Sequence, residues 1–216
     1  MNDEEGGFET EEEEEEESLG VVHPVSFSKL PGYLFANYRE FGEEATWTLS
    51  SAKAGNGAEA LRNGDTQTYW QSDGMHPHKL TVLFHRRVAI MELALNCNHK
   101  LDESYTPKRV RVLAGNVGTQ DLELVVEAEL EPSGWVLIPL FHPKTRTPLR
   151  TFVLQVEIVA MMQNGRDTHV RGVRVFGPRS DSHSPATVPS ANAIINKPSA
   201  FHTAPTALLD DLTMLH

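Results

Sequence analysis

The feature that most restricts the fold of this chain is a series of eight or nine short runs, between Ala45 and Phe176, in which apolar and polar residues tend to alternate. In the first run, Ala45, Trp47 and Leu49 alternate with two threonines. A period of two residues is typical of strands with one buried face, and few segments of this region repeat apolar residues at the helical spacing. The pattern predicts an all-β domain, an antiparallel β-sandwich or jelly roll.

After the first run, strands are predicted at His78–Phe84, Val88–Cys97, Val110–Ala114, Leu122–Glu129, Gly134–Leu140, Arg150–Met161 and Val170–Phe176. The second of these is apolar at nearly every position, which is expected of a strand covered on both faces. Short helices are predicted near Leu34–Arg39 and within the sequence AEALR, at residues 58–62.

The two ends of the chain differ from this body in composition. Residues 1–20 contain 11 of the 30 acidic residues and no Lys or Arg, and such a self-repelling segment is predicted to be a disordered acidic tail. It is either a solvated tail or a binding segment for a basic partner. Residues 21–44 are predicted to form an irregular arm, 45–178 the folded domain, and 179–216 a flexible tail whose apolar end is either inert or a docking motif.

Charge and composition exclude several classes of function. The net charge of −11 comes from the acidic tail, because the other residues hold 19 acidic and 19 basic side chains. We therefore expect neither nucleic acid nor membrane as a partner. No apolar run could span a bilayer, and a single cysteine, Cys97, fits a reducing compartment. His76 and His78 lack a third ligand nearby, so neither a metal nor another cofactor is expected.

Three polar segments follow strand-like runs: Asn96–Pro107, Gln163–His169 and Tyr69–Gly74. Their density of hydrogen-bonding side chains exceeds what a simple turn needs. We expect the three segments to meet at one end of the sandwich and to form a recognition surface for an extended peptide.

Other interpretations of these residues stay open. Ser104, His169 and Asp167 contain the groups of a hydrolytic triad, although Ser104 lacks the strand–turn–helix setting that exposes a nucleophile. Asn164 with the following glycine is also an ordinary turn pair, and Arg166 could simply pair with Asp167.

Four motifs carry a resemblance to a known family: YWQSDG at Tyr69–Gly74, DESYTP at Asp102–Pro107, EPSGW at Glu131–Trp135 and NGRDTH at Asn164–His169. In this order and spacing, the stretch from Ala45 to Pro178 resembles the Doc domain. The resemblance implies a jelly roll of the galactose-binding-like type and a non-catalytic subunit of the anaphase-promoting complex, a ubiquitin ligase active in cell division.

The resemblance also implies partners and site residues. A β-propeller coactivator is expected to take the Arg and Leu of the destruction-box degron, while the Doc loops take its polar tail. Other partners would be a cullin–RING scaffold and helical-repeat subunits, in the nucleus and cytoplasm. The degron-binding residues it implies are Ser104, Asn164, His169, Asp167, Arg166, Gln163, Tyr105, Asp102, Glu103 and Ser72. Family members often end in an Ile-Arg dipeptide that docks on a helical-repeat subunit. Met214, Leu215 and His216 resemble that dipeptide only in part, and docking through them is expected on that likeness alone.

Two alternatives to this function remain. The chain could be a galactose-binding-like module that recognises a glycan or another small ligand, although its loops lack an aromatic platform for a sugar. It could also be a Doc domain used by a different ligase.

Overall fold

The structure is a computed structural model, and it describes residues 21–141 and 147–179. The predictions for the acidic tail and for the C-terminal tail with Met214, Leu215 and His216 lie outside these residues. The described residues hold three sheets in which every strand pair is antiparallel, which confirms the predicted all-β sandwich.

The first sheet has five strands: β1 (Ser26–Phe27), β2 (Tyr38–Glu40), β6 (Glu92–Asn98), β9 (Ser133–Pro139) and β12 (Gly172–Pro178). Their spatial order is β1-β9-β6-β12-β2. The second sheet contains β3 (Ala45–Leu49), β5 (His78–Ile90), β7 (Pro107–Gly115), β8 (Glu123–Glu129) and β10 (Leu149–Met161), in the order β3-β5-β10-β7-β8. A two-stranded sheet joins β4 (Trp70–Gln71) to β11 (His169–Val170). The helices are α1 (Gly32–Asn37), α2 (Glu59–Arg62) and α3 (His99–Asp102).

The alternating residues of the two large sheets form the core between them. On β5, Leu80, Val82 and Phe84 are buried, and Val110 and Val112 on β7 are buried opposite Ile158 and Val156 of β10. Branched aliphatic side chains favour this pleated, half-buried setting, and each contributes about 1.5–3 kcal/mol when fully buried. Trp70 is fully buried, and its indole N–H donates to the carbonyl of Ser51 at 2.9 Å.

Two predicted strands are each divided between sheets, and these are corrections. The run Val88–Cys97 is not one strand: β5 continues to Ile90, the chain turns at Met91, and β6 lies in the other sheet. The backbone of Met91 donates to Phe176 and accepts from Leu140, so a buried corner explains the unbroken apolar run. Val170–Phe176 is divided in the same way at Arg171, between β11 and β12.

The segment 21–44 also differs from the irregular arm predicted for it. β1 pairs with β9, and β2 pairs with β12, so the segment supplies one edge strand to each side of the first sheet. The predicted helix begins and ends earlier, as α1, and Tyr38 is buried as the first residue of β2. Within the residues described, no helix is long and apolar enough to cross a membrane.

Candidate functional site

The structure brings the three predicted polar segments together: Asn96–Pro107 contacts the loop that contains Gln163–His169, and Tyr69–Gly74 contacts Gln163–His169 through Tyr69 and Ser72. Loop 1 (residues 99–106) joins β6 to β7, and loop 2 (residues 162–168) joins β10 to β11. The backbone N–H of Met162 in loop 2 donates to the carbonyl of Thr106 in loop 1 at 2.8 Å. A Cβ atom on Gly165 would collide with the carbonyl of Ser104, so the two backbones approach more closely than any residue but glycine permits.

Loop 1 begins with a capped helix. The side chain of Asn98 accepts a hydrogen bond from the backbone N–H of Lys100 at 3.1 Å, which satisfies one of the free donors at the start of α3. α3 lasts one turn, and a 3-10 helix over Glu103–Tyr105 follows. A second 3-10 helix, Met162–Asn164, begins loop 2.

Unusual backbone conformations are concentrated in these two loops. In the described part of the chain, three non-glycine residues have a positive φ: Glu103 at 47°, Gln163 at 52° and Asn164 at 56°. The left-handed conformation costs roughly 1–2 kcal/mol for an L-residue and persists only where surrounding contacts enforce it. Such strain collects at ligand sites, which supports a binding role for both loops.

The joined loops expose hydrogen-bonding side chains. Gln163, Asn164, Arg166 and Glu103 are exposed, and Ser104 is half-buried. Amides and hydroxyls donate and accept at once, so this set can match the backbone and the polar side chains of an extended peptide. Tyr105 is also exposed.

A buried ionic network lies beneath this surface. The carboxylate of Asp102 accepts two hydrogen bonds of 2.7 Å from Nε and Nη2 of Arg171 and a third, of 3.0 Å, from Nδ1 of His169. Burial by itself raises the pKa of Asp102, but the hydrogen bonds from His169 and Arg171 outweigh it and lower that pKa. The same carboxylate raises the pKa of the Arg171 guanidinium, so the pair is charged.

His169 is enclosed by aromatic rings. Its imidazole stacks on Tyr69, with ring centroids 4.0 Å apart, and on Tyr105, at 4.3 Å. The carboxylate at Nδ1 favours the tautomer that carries its proton there. Nε2 is buried and has no hydrogen-bond partner among the described residues.

Ser72 and His78 support loop 2 from the other side. The hydroxyl of Ser72 accepts from the backbone N–H of Thr168 at 2.9 Å and donates to Asp167 at 3.3 Å. Nε2 of His78 lies 2.7 Å from the carbonyl of Arg166. An open cleft of about 480 Å³ adjoins this region and is lined by Asp73, Gly74, Met75, His76, Arg166 and Asp167.

The structure thus sorts the residues that the resemblance implies into two groups. The accessible group is Ser104, Asn164, Gln163, Glu103, Tyr105 and Arg166, with Asp167 partly accessible. Asp102, His169 and Ser72 are buried and hold the loops in place. The carboxylate bonded to His169 is Asp102, whereas Asp167 bonds to Ser72, so the structure does not assemble Ser104, His169 and Asp167 as a triad. Among the residues described, no group of three or more His, Cys, Asp or Glu is placed to hold a metal ion.

Arg171 was not predicted as a member of the site, and Tyr69 was predicted only as part of the segment Tyr69–Gly74. Arg171 and Arg174 are the two charged residues in the run Val170–Phe176, and a cation within such a strand-like run indicates a buried partner. The partner of Arg171, Asp102, is 69 residues away, and strand periodicity cannot reveal such a pair.

The low pKa of Asp102 predicts how stability depends on pH. Because this pKa lies below its unfolded value of about 4, the unfolded state binds the proton more readily. The contribution of Asp102 is therefore fully present above about pH 4 and is lost as the pH falls through the folded pKa. Urea unfolding at stepped pH, compared with Asp102→Asn, should show a difference in stability that shrinks below pH 4. A difference that stays constant down to pH 2 would contradict the charged pair.

Comparisons with known proteins bear on this site. The family model described as Anaphase-promoting complex, subunit 10 (APC10) matches residues 4–201 of the chain. The chain is 44% identical over 147 residues to the anaphase-promoting complex subunit 10 of Drosophila melanogaster, covering 68% of this chain and 75% of the relative. The Homo sapiens protein of the same name is 42% identical over 145 residues, covering 67% and 77%. For Schizosaccharomyces pombe the identity is 39% over 140 residues, covering 64% and 74%.

Solved structures support the fold. The family 32 carbohydrate-binding module of Clostridium perfringens NanJ, solved with galactose, aligns with a TM-score of 0.54 at 14% identity and covers 65% of this chain and 99% of that one. Two such modules of Clostridium perfringens ZmpB align with a TM-score of 0.59 at 14% identity, covering 76% of this chain and 42% of that one. An identity of 14% carries only the fold, and the likeness confirms the galactose-binding-like jelly roll that the Doc resemblance implied.

Proposed function

This chain belongs to the family of anaphase-promoting complex subunit 10, and we propose that, as a subunit of this ubiquitin-ligase complex, it binds the polar end of the destruction-box degron. It performs no chemistry itself in this proposal. The degron lies between loops 1 and 2 of this chain and a β-propeller coactivator, which takes the Arg and Leu of the same segment.

One observation supports the proposal most directly. Ser104 and Asn164 lie on two loops whose backbones touch at Gly165, and the backbone strain of the described residues is concentrated around them. A strained, rigidly supported pair of loops presents its hydrogen-bonding groups with little loss of conformational freedom when a ligand binds. A hydroxyl and an amide on two joined loops suit a polar peptide segment.

The mechanism is capture of one degron at two places. Once the coactivator holds the Arg and Leu, the polar tail is confined close to loops 1 and 2, and its binding becomes effectively intramolecular. The second contact slows dissociation more than it speeds association. The substrate therefore stays longer and receives more ubiquitin in each encounter.

The proposal places the chain with a cullin–RING scaffold and helical-repeat subunits, in the nucleus and cytoplasm. The proposal assigns Met214, Leu215 and His216 only to docking on the complex. That docking is tested separately, by co-purification of a chain that lacks its last three residues.

Replacing Ser104 and Asn164 together with alanine tests the proposal. Each loses a hydrogen-bonding group without disturbing the core, so degron binding should weaken by about 1–3 kcal/mol while the fold stays intact. The measurement is the number of ubiquitins added per encounter in the reconstituted complex with its coactivator.

The matched control is Asn116→Ala with Gln120→Ala, two exposed residues in the turn after β7, at the opposite end of that strand from loop 1. The control should match the wild type. Unchanged processivity in the Ser104/Asn164 variant would refute the proposal. Inhibition of the wild type by free galactose would instead favour the glycan-binding alternative.

A further inference from the structure

Arg171 lies outside both degron-facing loops, yet it contacts the groups that hold them. We propose that Arg171 is a positioning residue for degron binding: its single guanidinium fixes loop 1, loop 2 and loop 3 (residues 63–68) relative to one another. This inference rests on the proposed function, and its test separates the two.

The backbone of Arg171 is anchored to the first sheet. The residue lies between β11 and β12, where the chain passes from the small sheet to the large one, and its N–H donates to the carbonyl of Asn96 at 2.8 Å. Its side chain is only 8% exposed. The guanidinium therefore starts from a rigid point and has little freedom to move.

The guanidinium uses its planar fork on two partners. Nε and Nη2 donate to the two oxygens of Asp102, both at 2.7 Å, while Nη1 donates to the carbonyl of Thr66 at 2.8 Å. The ring of Tyr69 faces the same group, with its centroid 5.2 Å away. Bidentate pairing to a carboxylate demands this planar geometry, which a lysine ammonium cannot reproduce.

Asp102 passes this restraint to both degron-facing loops. It directly precedes Glu103, whose φ is 47°, and Ser104, so its position sets that of the strained turn in loop 1. Its Oδ1 also accepts from His169, the residue that follows loop 2 and stacks on Tyr105. The three loops are thus joined through one buried ion pair.

Arg171→Lys is the sharpest test, because it keeps the positive charge that Asp102 needs while removing the fork. In the reconstituted complex, we expect roughly a tenfold loss of the tail-dependent part of processivity, since two charge-assisted hydrogen bonds lose their geometry. The substrates are a destruction-box protein and the same protein with the polar tail of its degron changed to alanine. Arg111→Lys is the control, because Arg111 pairs with Glu127 on the exposed face of β7.

Four results decide the question. The inference predicts that Arg171→Lys lowers processivity on the substrate with the intact degron and leaves it unchanged on the substrate with the alanine tail. It also predicts that adding Arg171→Lys to the Ser104/Asn164 variant lowers processivity no further. Wild-type processivity in Arg171→Lys, with a clear loss in the Ser104/Asn164 variant, would overturn the inference alone. Suppose that the Ser104/Asn164 variant loses processivity and that Arg171→Lys lowers processivity equally on both substrates. Arg171 would then have a general folding or assembly role, which would also overturn the inference. No loss in the Ser104/Asn164 variant would overturn the proposed function instead.

Discussion

Replacing Asp102 with alanine should lower the free energy of unfolding by about 3–5 kcal/mol, the usual cost of removing one partner from a buried ion pair. The carboxylate is buried, and its loss leaves the guanidinium of Arg171 without a counter-charge and Nδ1 of His169 without an acceptor. Because typical domains are stable by only 5–15 kcal/mol, the change should be plain in urea unfolding of the purified chain at pH 7.

Glu103→Ala provides the matched control. It removes the carboxylate of the next residue, which is exposed and has a positive φ. Its effect on the free energy of unfolding should stay within about 0.5 kcal/mol, as for most surface changes. Equal destabilisation by the two variants would contradict the role given to the buried network.

Gly165→Ala should abolish most of the tail-dependent processivity. The added methyl group would occupy the position of the Ser104 carbonyl, and a backbone atom cannot turn aside as a flexible side chain can. Loops 1 and 2 must therefore separate, which disturbs Ser104 and Asn164 together and costs about 1–3 kcal/mol in stability through overpacking. The measurement is ubiquitin added per encounter, on substrates with and without the polar tail.

Gly57→Ala is the control for this substitution, because a Cβ atom at Gly57 would meet nothing within 4 Å. It should leave processivity unchanged. If Gly165→Ala retained wild-type processivity with an intact degron, the close approach of the two loops would have no part in binding.

The sequence predicted the sheets well because each strand carries its own pattern. Ala45–Leu49 forms β3, which begins where the alternation begins, and the alternation of Leu80, Val82 and Phe84 marks the buried face of β5. The helix predicted at residues 58–62 also forms, as α2. These patterns are local, so neighbouring residues suffice to reveal them.

The corners between sheets could not be predicted in this way. At Met91 the chain passes from one sheet to the other without a glycine or proline to mark the turn, and at Arg171 the adjacent glycine, Gly172, is already the first residue of β12. The corner at Met91 is buried, so the apolar run continues through it, whereas the corner at Arg171 is a buried charged residue. Only the pairing of distant strands, such as β6 with β9, determines where the chain changes sheet.

The candidate site was predicted in part for a similar reason. Polar segments after strand-like runs indicated which loops meet, and Ser104 and Asn164 lie on those loops. The division into exposed contacts and buried supports depends on long-range partners such as Asp102 with Arg171 and Ser72 with Thr168. Such partners leave no periodic signal in a single sequence.

Photo-cross-linking of a degron to the assembled complex tests the central claim most directly. A destruction-box peptide with a diazirine amino acid in its polar tail would be irradiated with the reconstituted complex and coactivator, and the attached residues identified by mass spectrometry. We predict attachment to this chain within residues 103–105 and 163–166. Attachment only to the coactivator, or to the turn after β7 at residues 116–121, would contradict degron recognition by loops 1 and 2.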